Sequence, residues 1–132
     1  MDGSVWTAAE ALAVRLLLFR RKGEETMEKI CIGIDVGGTS VKLGLFTRAG
    51  ELLYKWEVPT RTEEGGKFIL PDVAASIKTV LEEKGIDRND IAGAGMGVPG
   101  PVMPDGYVEV CVNLGWRDLN PQQELSRLLD GL

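Results

Sequence analysis

From residue 29 onward, apolar positions come in short blocks separated by polar, glycine-rich turns. Residues 29–35 are almost continuously apolar, 40–47 alternate, and 51–59 set Leu52, Tyr54, Trp56 and Val58 against Leu53, Lys55 and Glu57. These are strand patterns. Arg48-Ala49-Gly50 is a tight turn between the second and third blocks. Pro59 to Gly66 is polar and reads as a loop. A helix is predicted over 67–84, with Val73, Ile77, Val80, Leu81 and Lys84 on one face, Pro71 early in it and Gly85 as its C-terminal cap. A fourth strand is expected over 91–98. This β-α-β step makes that strand parallel to its neighbour, with a right-handed crossover. Residues 106–113 suggest a short strand with Val108, Val110 and Val112 on one face. Asn120-Pro121-Gln122-Gln123 starts a last helix over 121–130, with Asn as cap, Pro at the first helical position, Gln at the reciprocal capping position and Gly131 as the stop.

Composition narrows the function classes. A chain of 132 residues has room for one domain with a real core, and its 44% apolar content is ordinary. The net charge of −5 and the lack of a basic stripe argue against a nucleic-acid surface. Histidine is absent, which removes His-based acid/base chemistry and the usual His zinc sites. Cys31 and Cys111 are isolated among β-branched residues, as expected for buried thiols of a reduced cytosol. Ala8 to Phe19 is an apolar run broken by Glu10 and Arg15 and followed by Arg20-Arg21-Lys22-Gly23. It is too short to span a bilayer, and its basic cluster follows the apolar run, the reverse of a secretory signal. A short amphipathic helix and a disordered tail both fit.

The chemistry concentrates in Ile32-Gly33-Ile34-Asp35-Val36-Gly37-Gly38-Thr39-Ser40-Val41-Lys42. Gly37 and Gly38 let the backbone turn sharply and bring N–H groups close to an anion. Thr39 and Ser40 add hydroxyls. Lys42 is either a cation for phosphate or an exposed strand residue. Asp35, at the end of the first strand, suits a magnesium ion held through water, since Mg2+ takes one or two protein carboxylates and phosphates complete its shell. A hairpin whose glycines merely connect strands remains the alternative. Gly95, Gly97 and Gly100 match G-x-G-x-x-G, but Pro99 and Pro101 prevent the helix that a dinucleotide site needs, so that reading is rejected. Asn113 and Trp116 are either sugar-lining groups or a turn Asn beside a packing Trp, and the packing reading is preferred. Arg61 and Arg117 are expected on solvated surface.

Ile-Gly-Ile-Asp-Val-Gly-Gly-Thr at 32–39, Gly-Val-Pro-Gly-Pro-Val at 97–102 and Val-Asn-Leu-Gly-Trp at 112–116 resemble, in order and spacing, the amino-terminal domain of the ROK family. The resemblance covers roughly 28–132 and looks most like the family's bacterial glucokinases. It implies an α/β, actin-like (ribonuclease H-like) ATPase domain, with a mixed sheet, antiparallel first, second and third strands, flanking helices and a second domain across a cleft. It implies ATP and Mg2+ as cofactors, phosphates against Asp35–Thr39 and sugar near Gly100. It also implies cytoplasmic hexose phosphorylation, a homodimeric parent, and no nucleic-acid or membrane partner. The family's catalytic base is an Asp in Asn-Asp-Ala-Asn, which this chain does not contain, so no catalytic residue is assigned and the fragment is expected to be inactive alone. The family's His/Cys zinc cluster is also absent, so structural zinc belongs only to parts beyond Leu132. Residues 1–26 read as an upstream extension with a natural start at Met27, too short for the winged-helix DNA reader of the family's repressors. The alternatives are a sugar-sensing regulator, a kinase for another hexose such as N-acetylmannosamine, mannose or fructose, and an actin-like or chaperone-like ATPase. The last is disfavoured by the 97–102 and 112–116 segments.

Overall fold

The structure, a computed structural model, describes residues 29–131. The expected extension at 1–26 lies outside them. Four strands form one sheet: β1 (Ile30–Val36), β2 (Ser40–Thr47), β3 (Leu52–Pro59) and β4 (Ile91–Gly97), in the order β3-β2-β1-β4. β1–β2 and β2–β3 are antiparallel, and β4 lies parallel to β1. Alternation decides the faces. Ile32, Ile34 and Val36 of β1 and Val41, Leu43 and Leu45 of β2 pair across the strands and are all buried. They meet helix α1 (Ile69–Glu83) through Ile69, Leu70, Val73, Ala74, Ile77 and Val80, in one core. Cys31, Phe46 and Ala92 form a separate buried cluster on the other face.

α1 is shorter than the expected 67–84 because its ends are set by hydrogen bonding. Gly85 takes φ +66, its N–H reaches Glu82 O, and the Ile86 N–H reaches Leu81 O. That is the paired bond of a left-handed C-cap, as the glycine foretold. Lys84, expected on the buried face, is the exposed cap residue, with its Nζ 3.8 Å from the Tyr54 ring centroid. The Trp56 indole on β3 donates to Ser76 Oγ at 3.1 Å, tying sheet to helix.

Beyond β4 a second, two-stranded sheet holds β5 (Val108–Cys111) and β6 (Trp116–Leu119), antiparallel. The expected strand 106–113 contracts to four residues, and β6 had no counterpart in the sequence reading. Val108 is buried but Val112 is 83% exposed, so the three valines do not share an inward face. Helix α2 (Pro121–Leu128) follows, shorter than 121–130. Asn120 Oδ1 accepts from the Gln123 N–H at 3.1 Å, confirming the cap, while Asn120 Nδ2 donates to Asp105 O. The helix ends at Leu128, three residues before Gly131. Asp130 takes φ +59 and donates to Arg127 O, and Gly131 follows with a bond to Ser126 O. Among the described residues no helix is long and apolar enough to cross a membrane.

Candidate phosphate-binding site

The chain turns between β1 and β2 at Gly37-Gly38-Thr39. The Gly37 N–H donates to Ser40 O at 3.0 Å, closing the hairpin. A Cβ on Gly37 would lie 2.8 Å from that same backbone oxygen, so only glycine fits there. Gly38 differs. A Cβ there would meet nothing within 4 Å, and its φ lies outside the left-handed region. Folding therefore does not require Gly38 to be glycine, and the space above it is open. Gly38 and Thr39 are exposed at the tip. Of the amides expected to face an anion, that of Gly37 is already committed to the hairpin.

Thr60, the residue after β3, underpins this turn. Its N–H donates to Thr39 O at 2.9 Å and its hydroxyl donates to Gly37 O at 2.7 Å. The sequence places Thr60 in a polar loop and does not announce these bonds.

On the sheet face opposite α1, charged positions line up across three strands. Asp35 pairs with Lys42, and Lys42 pairs with Glu57. Directly opposed side chains in a sheet have Cβ atoms about 5 Å apart. Asp35 also pairs with Gly97 on β4, where a Cβ would again meet nothing within 4 Å. The partly exposed carboxylate of Asp35 thus stands between the open Gly37–Thr39 turn and an open glycine, at the carboxyl ends of two parallel strands. That is where open α/β sheets bind ligands. Ser40 is placed differently from expectation. Its hydroxyl donates to Glu57 Oε2 at 2.8 Å instead of facing the opening. Glu57 is a second residue that sequence reasoning passed over.

No group of three or more His, Cys, Asp or Glu side chains is gathered for a metal among the described residues. One carboxylate beside an open cradle still fits Mg2+, which draws most of its shell from water and phosphate. Arg61 does not reach the turn. Its guanidinium forms two bonds to Asp72, at 2.7 and 2.8 Å, and lies 4.4 Å over the Phe68 ring. Its pKa is raised, chiefly by the Asp72 hydrogen bond.

The Gly100 N–H bonds Val98 O at 2.9 Å, and a Cβ on Gly100 would approach Cys111 Sγ to 3.3 Å. Gly100 thus packs on β5 at Cys111, which is two residues before Asn113, and Asn113 is exposed in the β5–β6 turn. Trp116 is buried, and its indole donates to Gly66 O at 3.2 Å. The packing reading of Trp116 holds. Gly66 (φ +70) and Gly115 (φ +80) bring the two turns into backbone contact.

The pattern of the ROK family matches residues 31–130. The chain belongs to the ROK family. The glucokinase of Halalkalibacterium halodurans is 38% identical over 96 residues, spanning 72% of this chain and 29% of that protein. The ROK hexokinase of Thermus thermophilus superposes with a TM-score of 0.61 at 28% identity, covering 76% of this chain and 32% of that one. A ROK family glucokinase from Streptomyces griseus, crystallised with glucose and AMPPNP, gives a TM-score of 0.64 at 24% identity, covering 76% of this chain and 30% of that one, and shows the shared fold. The fold is thus the α/β, actin-like ATPase fold of ROK sugar kinases. The chain spans less than a third of the length of these ROK relatives.

Proposed function

We propose that residues 27–132 form the amino-terminal, phosphate-binding part of a cytoplasmic ATP-dependent hexose kinase acting on glucose. The observation that carries this reading is the open Gly37-Gly38-Thr39 turn with Asp35 beside it, in a ROK chain whose relatives include a glucokinase. The exposed Gly38 and Thr39 amides donate to phosphate oxygens, and the Thr39 hydroxyl adds a donor. Lys42 contributes positive charge from its register position opposite Asp35 and Glu57. Ser40 acts indirectly, through its bond to Glu57.

Charge arithmetic explains why a metal is needed. Asp35, Lys42 and Glu57 sum to one negative charge (−1 + 1 − 1), and a triphosphate tail adds more. Mg2+ held through water by Asp35 would supply the neutralising charge and polarise the phosphate oxygens. Gly100 and Asn113 are the residues proposed to meet the sugar. Catalysis of this kind is mainly positioning and charge stabilisation. This chain provides the positioning of phosphate. Residues 1–132 contain no Asn-Asp-Ala-Asn segment to take the proton from a sugar hydroxyl, so the chain alone binds without transfer.

The test is a pair of amide-resolved NMR titrations of the 132-residue chain. Mg2+ with tripolyphosphate is expected to move the Gly38 and Thr39 amides, and glucose those of Gly100 and Asn113. Shifts confined to other regions would reject the assignment.

A further inference from the structure

We infer that Thr60 is a positioning residue for phosphate, a latch that sets the direction of the Gly38 amide. The inference rests on the phosphate reading above and adds a residue to it. Thr60 grips the carbonyls on either side of Gly38, with its hydroxyl on Gly37 O at 2.7 Å and its N–H on Thr39 O at 2.9 Å. In a trans peptide the C=O and the following N–H point to opposite sides, and the chain has no cis peptide among the described residues. Holding Gly37 C=O toward Thr60 therefore turns the Gly38 N–H away from β3. Holding Thr39 C=O turns the Ser40 N–H the same way. A Cβ on Gly38 meets nothing within 4 Å, so a ligand has room to approach that residue.

The hydroxyl matters because the peptide it holds joins two glycines. Such a peptide has few steric barriers to reorientation. Unlatched, it would present the Gly37 carbonyl oxygen to an anion for part of the time, and a carbonyl oxygen repels phosphate. The Gly37 N–H is spent on Ser40 O, so the Gly38 amide is the first one left at the tip. Thr60 needs no contact with the ligand to act. It biases which end of one peptide dipole faces the site.

The experiment uses the full chain, labelled with 15N, and titrates Mg2+ with tripolyphosphate while following the Gly38 amide. Thr60→Val keeps the shape and removes the donor, and Thr60→Ser restores the donor. Thr60→Val is expected to weaken binding about tenfold, the size of one lost hydrogen bond, with a reduced Gly38 shift. Thr60→Ser is expected to stay within about twofold of the parent chain. A purely structural Thr60 would lower the melting temperature of Thr60→Val and leave its affinity and Gly38 shift unchanged, and that result overturns the latch while the phosphate reading stands. No Gly38 response in the unsubstituted chain overturns the phosphate reading, and the latch with it. If Thr60→Val loses its dispersed spectrum, hydrogen exchange of the Thr60 amide in the parent chain decides. Slowing by about tenfold on adding ligand supports the latch, and an unchanged rate overturns it.

Discussion

Replacing Gly38 by alanine separates binding from folding. The new methyl meets no protein atom within 4 Å and the backbone there is not left-handed, so no steric penalty arises in the folded state. Restricting the unfolded chain stabilises such variants by roughly 0.4–1 kcal/mol. Thermal or urea denaturation should therefore show Gly38→Ala equal to or slightly more stable than the parent chain. The methyl nevertheless points into the space through which a phosphate oxygen reaches the Gly38 amide. Losing one charge-assisted hydrogen bond costs about 1.5–3 kcal/mol, or roughly 10- to 150-fold in affinity. Isothermal titration with Mg2+ and tripolyphosphate should show that loss. Gly37→Ala is the control, because its Cβ would sit 2.8 Å from Ser40 O and should destabilise the hairpin itself. Parent-like affinity in a well-folded Gly38→Ala would refute the placement of phosphate over this turn.

Three further outcomes are expected. Gly66→Ala should cost roughly 2–5 kcal/mol in urea denaturation. The left-handed φ of +70 contributes about 1–2 of that, and a Cβ 2.2 Å from Leu114 O contributes the rest. Lys42→Met should weaken tripolyphosphate binding about tenfold and flatten its dependence on ionic strength, read by titration at two salt concentrations, because a cation is removed from the strand between two carboxylates. The Tyr107 phenol donates to Asp118 Oδ1 at 2.8 Å, and this hydrogen bond, followed by desolvation and the nearby Asp118, Glu109 and Asp105 charges, raises its pKa. A raised folded pKa means the bond's contribution is present below the ordinary phenol value of about 10 and is lost as pH climbs through the folded value. In a Tyr54→Phe background, which leaves one tyrosine, ultraviolet titration should give a midpoint above that ordinary value, and Asp118→Asn should move it back.

Much of the fold was legible because local chemistry and tertiary structure agree. Gly85 marked the end of α1, Asn120 and Pro121 marked the start of α2, and strand alternation separated the buried from the polar face. The acid and glycines of the β1–β2 turn were legible for the same reason. Glu57 was not, and the cause is a bulge. The Thr47 N–H to Glu51 O bond and the Phe46–Leu52 pair set one register, and a shift between Leu45 and Phe46 moves the rest by one residue. Counting back from the turn would place Trp56 opposite Lys42. The bulge puts Glu57 there and completes the charged row. Thr60 was hidden because its partners are main-chain carbonyls 21 and 23 residues earlier (60 − 39 and 60 − 37), which no side-chain pattern announces. β6 escaped because Asp118, in its middle, takes φ +50 and breaks the alternation.

Asp35 and the Gly37–Thr39 turn are proposed to hold phosphate and metal together. The most direct measurement is the affinity of the 132-residue chain for tripolyphosphate with and without Mg2+, in the parent and in Asp35→Asn. Mg2+ is expected to tighten binding about tenfold or more in the parent, and Asp35→Asn is expected to abolish this gain while leaving metal-free binding unchanged or slightly stronger. An equal Mg2+ gain in both proteins would contradict this assignment.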